Sequence, residues 1–127
     1  MRQHLLVVDD EQPICDLLEL YLSKQGYQVS TCTTATQALQ LLQQPPLPDL
    51  VVLDISLNGE DGLQVLQQIK TRWPGLPVVM LTGMGYVEDL LQEAHRKGAD
   101  GYVSKVLPLD ELLGTIQRVL KPEGIAA

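Results

Sequence analysis

Three runs of four consecutive apolar residues recur along the chain, at Leu5 to Val8, Leu50 to Leu53 and Val78 to Leu81. Each is too short for a helix and is bounded by polar or turn-forming residues, so each reads as a strand buried on both faces. Val29 to Cys32 and Gly101 to Ser104 are more mixed, with Ser30, Thr31 and Ser104 among them, and fit the two edges of the same sheet. Between the strands the apolar spacing turns helical. Ile14, Leu17, Leu18, Tyr21 and Leu22 fall on one face behind Pro13, which suits a first turn, and Gly26 stops that helix. Ala35, Ala38, Leu39 and Leu42 mark a second helix, Leu63, Leu66 and Ile69 a third, and Val87, Leu90, Leu91 and Ala94 a fourth. Leu109, Leu112, Leu113, Ile116, Val119 and Leu120 mark the fifth, and Pro45, Pro46, Pro48, Pro74, Gly75, Pro77 and Gly98 punctuate the joins. Five strand-then-helix repeats joined by right-handed crossovers predict a doubly wound α/β domain with a five-stranded parallel sheet. In such a sheet the working residues lie beyond the carboxyl ends of the strands.

The chain has 127 residues, 45% of them hydrophobic, which fits one domain able to bury its own core. Residues 1–121 read as that domain, and 122–127, with Pro122 and Gly124, as a tail or the start of a linker. A net charge of −7, spread along the chain, argues against direct binding of nucleic acid or an anionic membrane. No apolar run approaches the roughly 18 residues of a membrane span, so the expected compartment is the cytoplasm. Cys15 and Cys32 lack CxxC spacing and sit in apolar segments, where a thiol behaves as a small buried hydrophobe.

The strand ends carry the chemistry. The first ends in Asp9, Asp10 and Glu11, the third in Asp54, the fourth in Thr82 and the fifth in Ser104 and Lys105. Singly, each could cap a turn or a helix start. Together, the predicted fold brings Asp9, Asp10 and Asp54 close, and like charges in a partly closed site call for a compensating cation. Carboxylate oxygens with room for water suit Mg²⁺. A cation, the Lys105 ammonium and the Thr82 hydroxyl around one carboxylate form a place for a phosphoryl group, with Asp54 as nucleophile.

The acidic pair in LVVDDE, the aspartate in LVVLDISLNGEDGL, the threonine in VVMLTG and the lysine in GADGYVSK, taken in order, resemble the receiver domain of two-component response regulators over nearly the whole chain. The resemblance implies a flavodoxin-like (βα)5 fold with strand order 2-1-3-4-5. It implies that Asp54 accepts a phosphoryl group from a histidine kinase or phosphotransfer protein. It also implies that Mg²⁺ is held by Asp9, Asp10, Asp54 and the backbone carbonyl of Ser56, with Asp10 the closer ligand and Asp9 acting partly through water. Thr82 and Lys105 would contact phosphoryl oxygens, and Tyr102 would be a switch aromatic turning inward with Thr82. The fourth helix, fifth strand and fifth helix would form the output face. An unknown protein partner would read it, a DNA-binding domain outside this chain being one candidate and a phosphorylated homodimer another arrangement. Such a domain is a switch with self-catalysed phosphotransfer and dephosphorylation, not a metabolic enzyme.

Departures from the family pattern are visible. Lys105 is followed by Val106, with proline only at Pro108, so the Lys105–Val106 bond is expected to be trans. The loop after Asp54 lacks the common Met-Pro but keeps turn chemistry in Asn58 and Gly59. Ser56 and Met84 occupy variable positions beside the site, and Gly83 leaves access to it. A degenerate receiver that binds proteins without phosphorylation is the alternative, which the retained Asp9, Asp10, Asp54, Thr82 and Lys105 disfavour. A phosphatase of the haloacid dehalogenase type would need a second aspartate where Ser56 stands. Nucleotide-binding glycine motifs do not occur.

Overall fold

A computed structural model describes residues 2–83, 87–105 and 109–120. In chain order the elements are β1 (His4–Val8), α1 (Gln12–Lys24), β2 (Gln28–Cys32), α2 (Ala35–Leu42), β3 (Leu50–Asp54), β4 (Ser56–Leu57), β5 (Glu60–Asp61), α3 (Gly62–Arg72), β6 (Val78–Thr82), α4 (Glu88–Arg96), β7 (Gly101–Ser104) and α5 (Leu109–Leu120). The five longer strands form one parallel sheet ordered β2-β1-β3-β6-β7, the 2-1-3-4-5 order when only those strands are counted. The mixed sequences of β2 and β7 sit at the edges, and the continuous apolar runs fill the centre, where β3 and β6 are buried throughout.

Strand alternation divides the core into two layers. Leu5, Val7, Val52, Val79 and Val103 face α1 and α5, where Leu18, Leu22, Leu112 and Ile116 meet them. Leu6, Val8, Leu53 and Met80 face the other way, toward Ala38 and Leu42 of α2, Leu66 and Ile69 of α3, and Ala94 of α4. The period of two along each strand is what lets one apolar run serve both layers.

Two details differ from the periodicity reading. On α1 the buried residues are Cys15, Leu18 and Leu22, while Leu17 is 45% exposed. The helix is rotated so that the small thiol, not the leucine, fits beneath it, against the ends of β1 and β2. Val87 precedes α4 as its N-cap and is 39% exposed, outside the cluster that holds Leu90 and Ala94. The loop after Asp54 also contains an unforeseen hairpin in which Ser56 pairs Asp61 and Leu57 pairs Glu60. Its two-residue turn, Asn58–Gly59, has φ of 48° and 87°, the left-handed pair that Asn-Gly adopts most readily. Asp61 then caps α3, its Oδ1 accepting from Leu63 N at 2.9 Å. Met84, Gly85, the Lys105–Val106 bond, Pro108 and the tail from Lys121 onward lie outside the described residues.

Candidate functional site

The carboxyl ends of β1, β3, β6 and β7 converge on one cluster. Asp9 follows β1 and extends its ladder by one bond, its N–H donating to Cys32 O at 3.1 Å, which holds its side chain fully buried. The Cys15 thiol donates to Asp9 O at 3.2 Å, and Glu11 N–H donates to Asp9 Oδ1 at 2.9 Å. Asp10 is half-buried, with Oδ2 accepting from Asn58 N at 2.8 Å, so the hairpin after β3 is tied to the end of β1.

Asp54 ends β3 and is 3% exposed. Its Oδ1 accepts from Ser56 N at 3.1 Å and its Oδ2 from Lys105 Nζ at 2.9 Å. The backbone behind it is pinned by Ile55 N to Leu81 O at 2.9 Å and Gly62 N to Ile55 O at 2.8 Å. A side chain at Gly62 would overlap the Asp54 carbonyl oxygen and the Ile55 backbone, so α3 approaches this close only through glycine. Thr82 closes β6, fully buried, one position beyond Leu81, which is the register partner of Asp54. Lys105 N–H donates to Thr82 O at 2.6 Å, fixing the start of the loop after β7 to the end of β6.

The Lys105 ammonium therefore sits in a cage of acids, 2.8 Å from Asp9 Oδ2, 2.9 Å from Glu11 Oε1 and 2.9 Å from Asp54 Oδ2. Burial works against its charge, but these contacts outweigh that and hold the ammonium above the ordinary lysine range. Burial pushes the Asp54 carboxyl up to about 6, with the nearby Asp9 charge adding to it and the bonds from Lys105 and Ser56 opposing it. Asp9, Glu11 and Asp54 share one ammonium.

Asp9, Asp10 and Asp54 each offer one oxygen within 4.8 Å of the others. Opposite ligands of an octahedral Mg²⁺ lie about 4 Å apart, so the spacing fits that ion. Asp9 Oδ2 supplies a second sign of fit, because it is buried with no hydrogen bond and has only the ionic contact with Lys105. Ser56, expected to offer its backbone carbonyl to the ion, gives its N–H to Asp54 Oδ1 in this arrangement.

Tyr102 lies on β7 opposite Met80, packed against the α2–α3–α4 layer, with its hydroxyl buried. A Cβ at Gly83 would meet the Lys105 stem at 3.9 Å, an ordinary van der Waals contact. The cleft beside Lys105 between α1 and α5, lined by Ile14, Leu18 and Leu109, holds about 30 Å³, enough for water but not for a metabolite. No helix among the described residues is long and apolar enough to cross a membrane.

Glu11, Cys15, Asn58 and Gly62 join the cluster without having been singled out by role. Asn-Gly was readable as a turn, and a glutamate directly before Pro-containing α1 was readable as an odd cap. The contact of Glu11 with a lysine 94 positions away carried no local signal.

Known proteins share this arrangement. The family model for the response regulator receiver domain matches residues 5–117. The receiver domain of NtrX from Brucella abortus superposes with a TM-score of 0.86 at 40% identity, covering 94% of this chain and 99% of that one. A longer NtrX chain from the same organism, in complex with ADP, matches at TM-score 0.84 and 39% identity over 95% of this chain, which spans only 26% of that protein. A CheY-like receiver domain protein from Methanospirillum hungatei JF-1 matches at TM-score 0.85 and 28% identity over 94% of both chains. Receiver domains are signalling domains of two-component systems and not metabolic enzymes, and they generally bind Mg²⁺ at an acidic pocket. With the family's model spanning nearly all of its sheet and helices, the chain belongs to the response regulator receiver domain family.

Proposed function

We propose that the chain is a phosphorylation-dependent switch in which Asp54 accepts a phosphoryl group from a phosphohistidine of a histidine kinase or phosphotransfer protein. The observation that carries this reading is the set of bonds on Asp54: Ser56 N–H holds one oxygen and Lys105 the other, with Asp9 and Asp10 oxygens alongside. A carboxyl with a pKa of about 6 is mostly ionised at neutral pH and remains nucleophilic. One Asp54 oxygen forms a bond to phosphorus while the P–N bond to the donor imidazole breaks, and the electron pair leaves with the imidazole nitrogen.

Asp9, Asp10, Asp54 and the Ser56 carbonyl are the groups that would hold Mg²⁺, which when bound neutralises charge on the phosphoryl oxygens. Lys105 gives the second positive contact, and the Thr82 hydroxyl donates to a further oxygen. Tyr102 follows Thr82, and the repacked face of α4, β7 and α5 is read by a protein partner. Return to the resting state is slow hydrolysis: water attacks phosphorus, the bond to the Asp54 oxygen breaks, and inorganic phosphate leaves.

The test is intact mass after incubation with acetyl phosphate, with and without Mg²⁺, for the natural sequence and Asp54→Asn. A Mg²⁺-dependent phosphoryl adduct that is lost in the variant is expected. Undiminished labelling of Asp54→Asn would place the acceptor elsewhere and overturn the reading.

A further inference from the structure

We infer that Glu11 is a positioning residue for Lys105: it anchors the ammonium before phosphoryl transfer and is the carboxylate that lets go when a phosphoryl oxygen takes its place. This rests on the reading of Asp54 as the acceptor.

Two independent observations lead to Glu11. First, it is the N-cap of α1, with φ −97° and ψ 107°, yet its side chain makes no cap bond. Glutamate is a poor cap compared with Ser, Thr, Asp or Asn, so the position is not chosen for starting a helix. Its carboxylate instead reaches across to Lys105 Nζ at 2.9 Å, while its backbone N–H holds Asp9 Oδ1 at 2.9 Å. A single residue thus orients both the lysine and one of the acids it pairs with.

Second, the three carboxylates around the ammonium are not equally able to leave. Two of the ammonium's three donors are taken by Glu11 Oε1 and Asp54 Oδ2, and Asp9 Oδ2 crowds its remaining side in ionic contact at 2.8 Å. A phosphoryl oxygen therefore needs one of them to withdraw. The Asp9 side chain is 0% exposed and that of Asp54 4%, whereas Glu11 is 60% exposed. Glu11 swings into water with little penalty, whereas Asp9 and Asp54 are enclosed and would release the ammonium only toward another cation. Glu11 is accordingly the exchange partner, and its charge also competes with the phosphoryl group for Lys105.

The experiment is a double-mutant cycle on phosphoryl uptake from acetyl phosphate with saturating Mg²⁺, using Glu11→Gln, Lys105→Met and the pair. In uptake, an Asp54 oxygen bonds to phosphorus and acetate leaves with the electron pair of the broken P–O bond. Glu11→Gln keeps the length of the side chain and removes its charge. The expected result is uptake about fivefold faster in the Lys105 background, the size of change that freeing one exposed ion pair supplies. With Lys105→Met already present, Glu11→Gln is expected to change nothing. Equal acceleration in both backgrounds would reduce Glu11 to general charge repulsion and overturn the proposal, as would no acceleration in either. If Lys105→Met takes up too little phosphoryl to follow, the Lys105 side-chain ¹³Cε order parameter decides: it falls in Glu11→Gln if Glu11 is the anchor, and an unchanged value overturns the proposal. Absence of any adduct in the natural sequence is a different failure, that of Asp54 as acceptor.

Discussion

At the amino-terminal edge of the sheet, Lys70 donates to Asp100 Oδ2 at 2.9 Å and to Leu76 O at 2.8 Å, and the same Asp100 oxygen accepts the Val78 N–H at 2.9 Å. One cation meets one carboxylate, and the nearby backbone groups are satisfied. Asp49 is used similarly, its Oδ2 accepting from His4 N at 2.7 Å while its own N–H donates to His4 O. At the carboxyl edge the same kinds of group are assembled differently: Lys105 faces Asp9, Glu11 and Asp54, and Asp10 stands beside them. The first arrangement fastens β3, β6 and β7 to their neighbours. The second leaves excess negative charge buried, which weakens the resting fold and suits a site that gains cations on use. The difference separates a structural end of the sheet from a working end without reference to any ligand.

The largest effect that would sharpen this contrast comes from Gly62. Its position is set by backbone contact with Asp54 and Ile55, neither of which has a flexible end to move. Gly62→Ala is therefore expected to destabilise the fold by about 3 kcal/mol in denaturant unfolding, as overpacking against fixed backbone does. Gly83→Ala, in the same region but in ordinary contact with the Lys105 stem, should change stability by less than about 0.5 kcal/mol.

Next in size is the charge itself. Burial raises the Asp54 pKa from 3.8 to about 6, so the ionised carboxylate is less welcome in the folded state than in the unfolded one. The sign follows: the favourable contribution of Asp54 is fullest below pH 3.8 and is lost as pH rises through about 6. Asp54→Asn, measured with a chelator present, should stabilise the fold at pH 7 by about 2 kcal/mol, reduced from the full shift because Lys105 loses a charged partner. That gain should vanish near pH 4. A gain that stays constant with pH would mean that the carboxyl edge carries no excess charge, and the contrast between the two edges would break.

The sheet was legible because its central strands are buried on both faces, so Leu5 to Val8, Leu50 to Leu53 and Val78 to Leu81 appear as unbroken apolar runs. The strand-end acids and Lys105 were legible for a related reason, since parallel topology places every carboxyl end on one edge. What escaped was set by tertiary contact. Cys15 and Leu17 are both apolar but two positions apart, on opposite sides of the helix, and only the space at the ends of β1 and β2 decides that the thiol's side is the buried one. The strands Ser56–Leu57 and Glu60–Asp61 are two residues each, too short to show a period, so Asn58–Gly59 announced a turn but not a hairpin. Its link to Asp10 spans 48 positions and leaves no trace in local pattern.

A smaller effect is reserved for the ion that the excess charge would recruit. Mg²⁺ at ten times its dissociation constant should stabilise the fold by about 1.4 kcal/mol, read as a rise in Tm. Asp10→Asn should shift that response to higher Mg²⁺, because Asp10 is the most accessible of the three aspartates whose oxygens cluster.

The smallest expected effect tests the other edge. Lys70→Met keeps the apolar stem but removes the ammonium, leaving Leu76 O and Asp100 without their shared donor. Asp100 is 38% exposed and keeps the Val78 N–H, so water replaces much of what is lost and the expected cost is about 1 kcal/mol. The diagnostic readout is the Mg²⁺ response, which should stay unchanged because the pair lies at the opposite ends of the strands from Asp9, Asp10 and Asp54. If Lys70→Met altered the Mg²⁺-dependent rise in Tm as much as Asp10→Asn does, the two edges would be energetically coupled through the sheet, and their separation into fastening and working ends would fail.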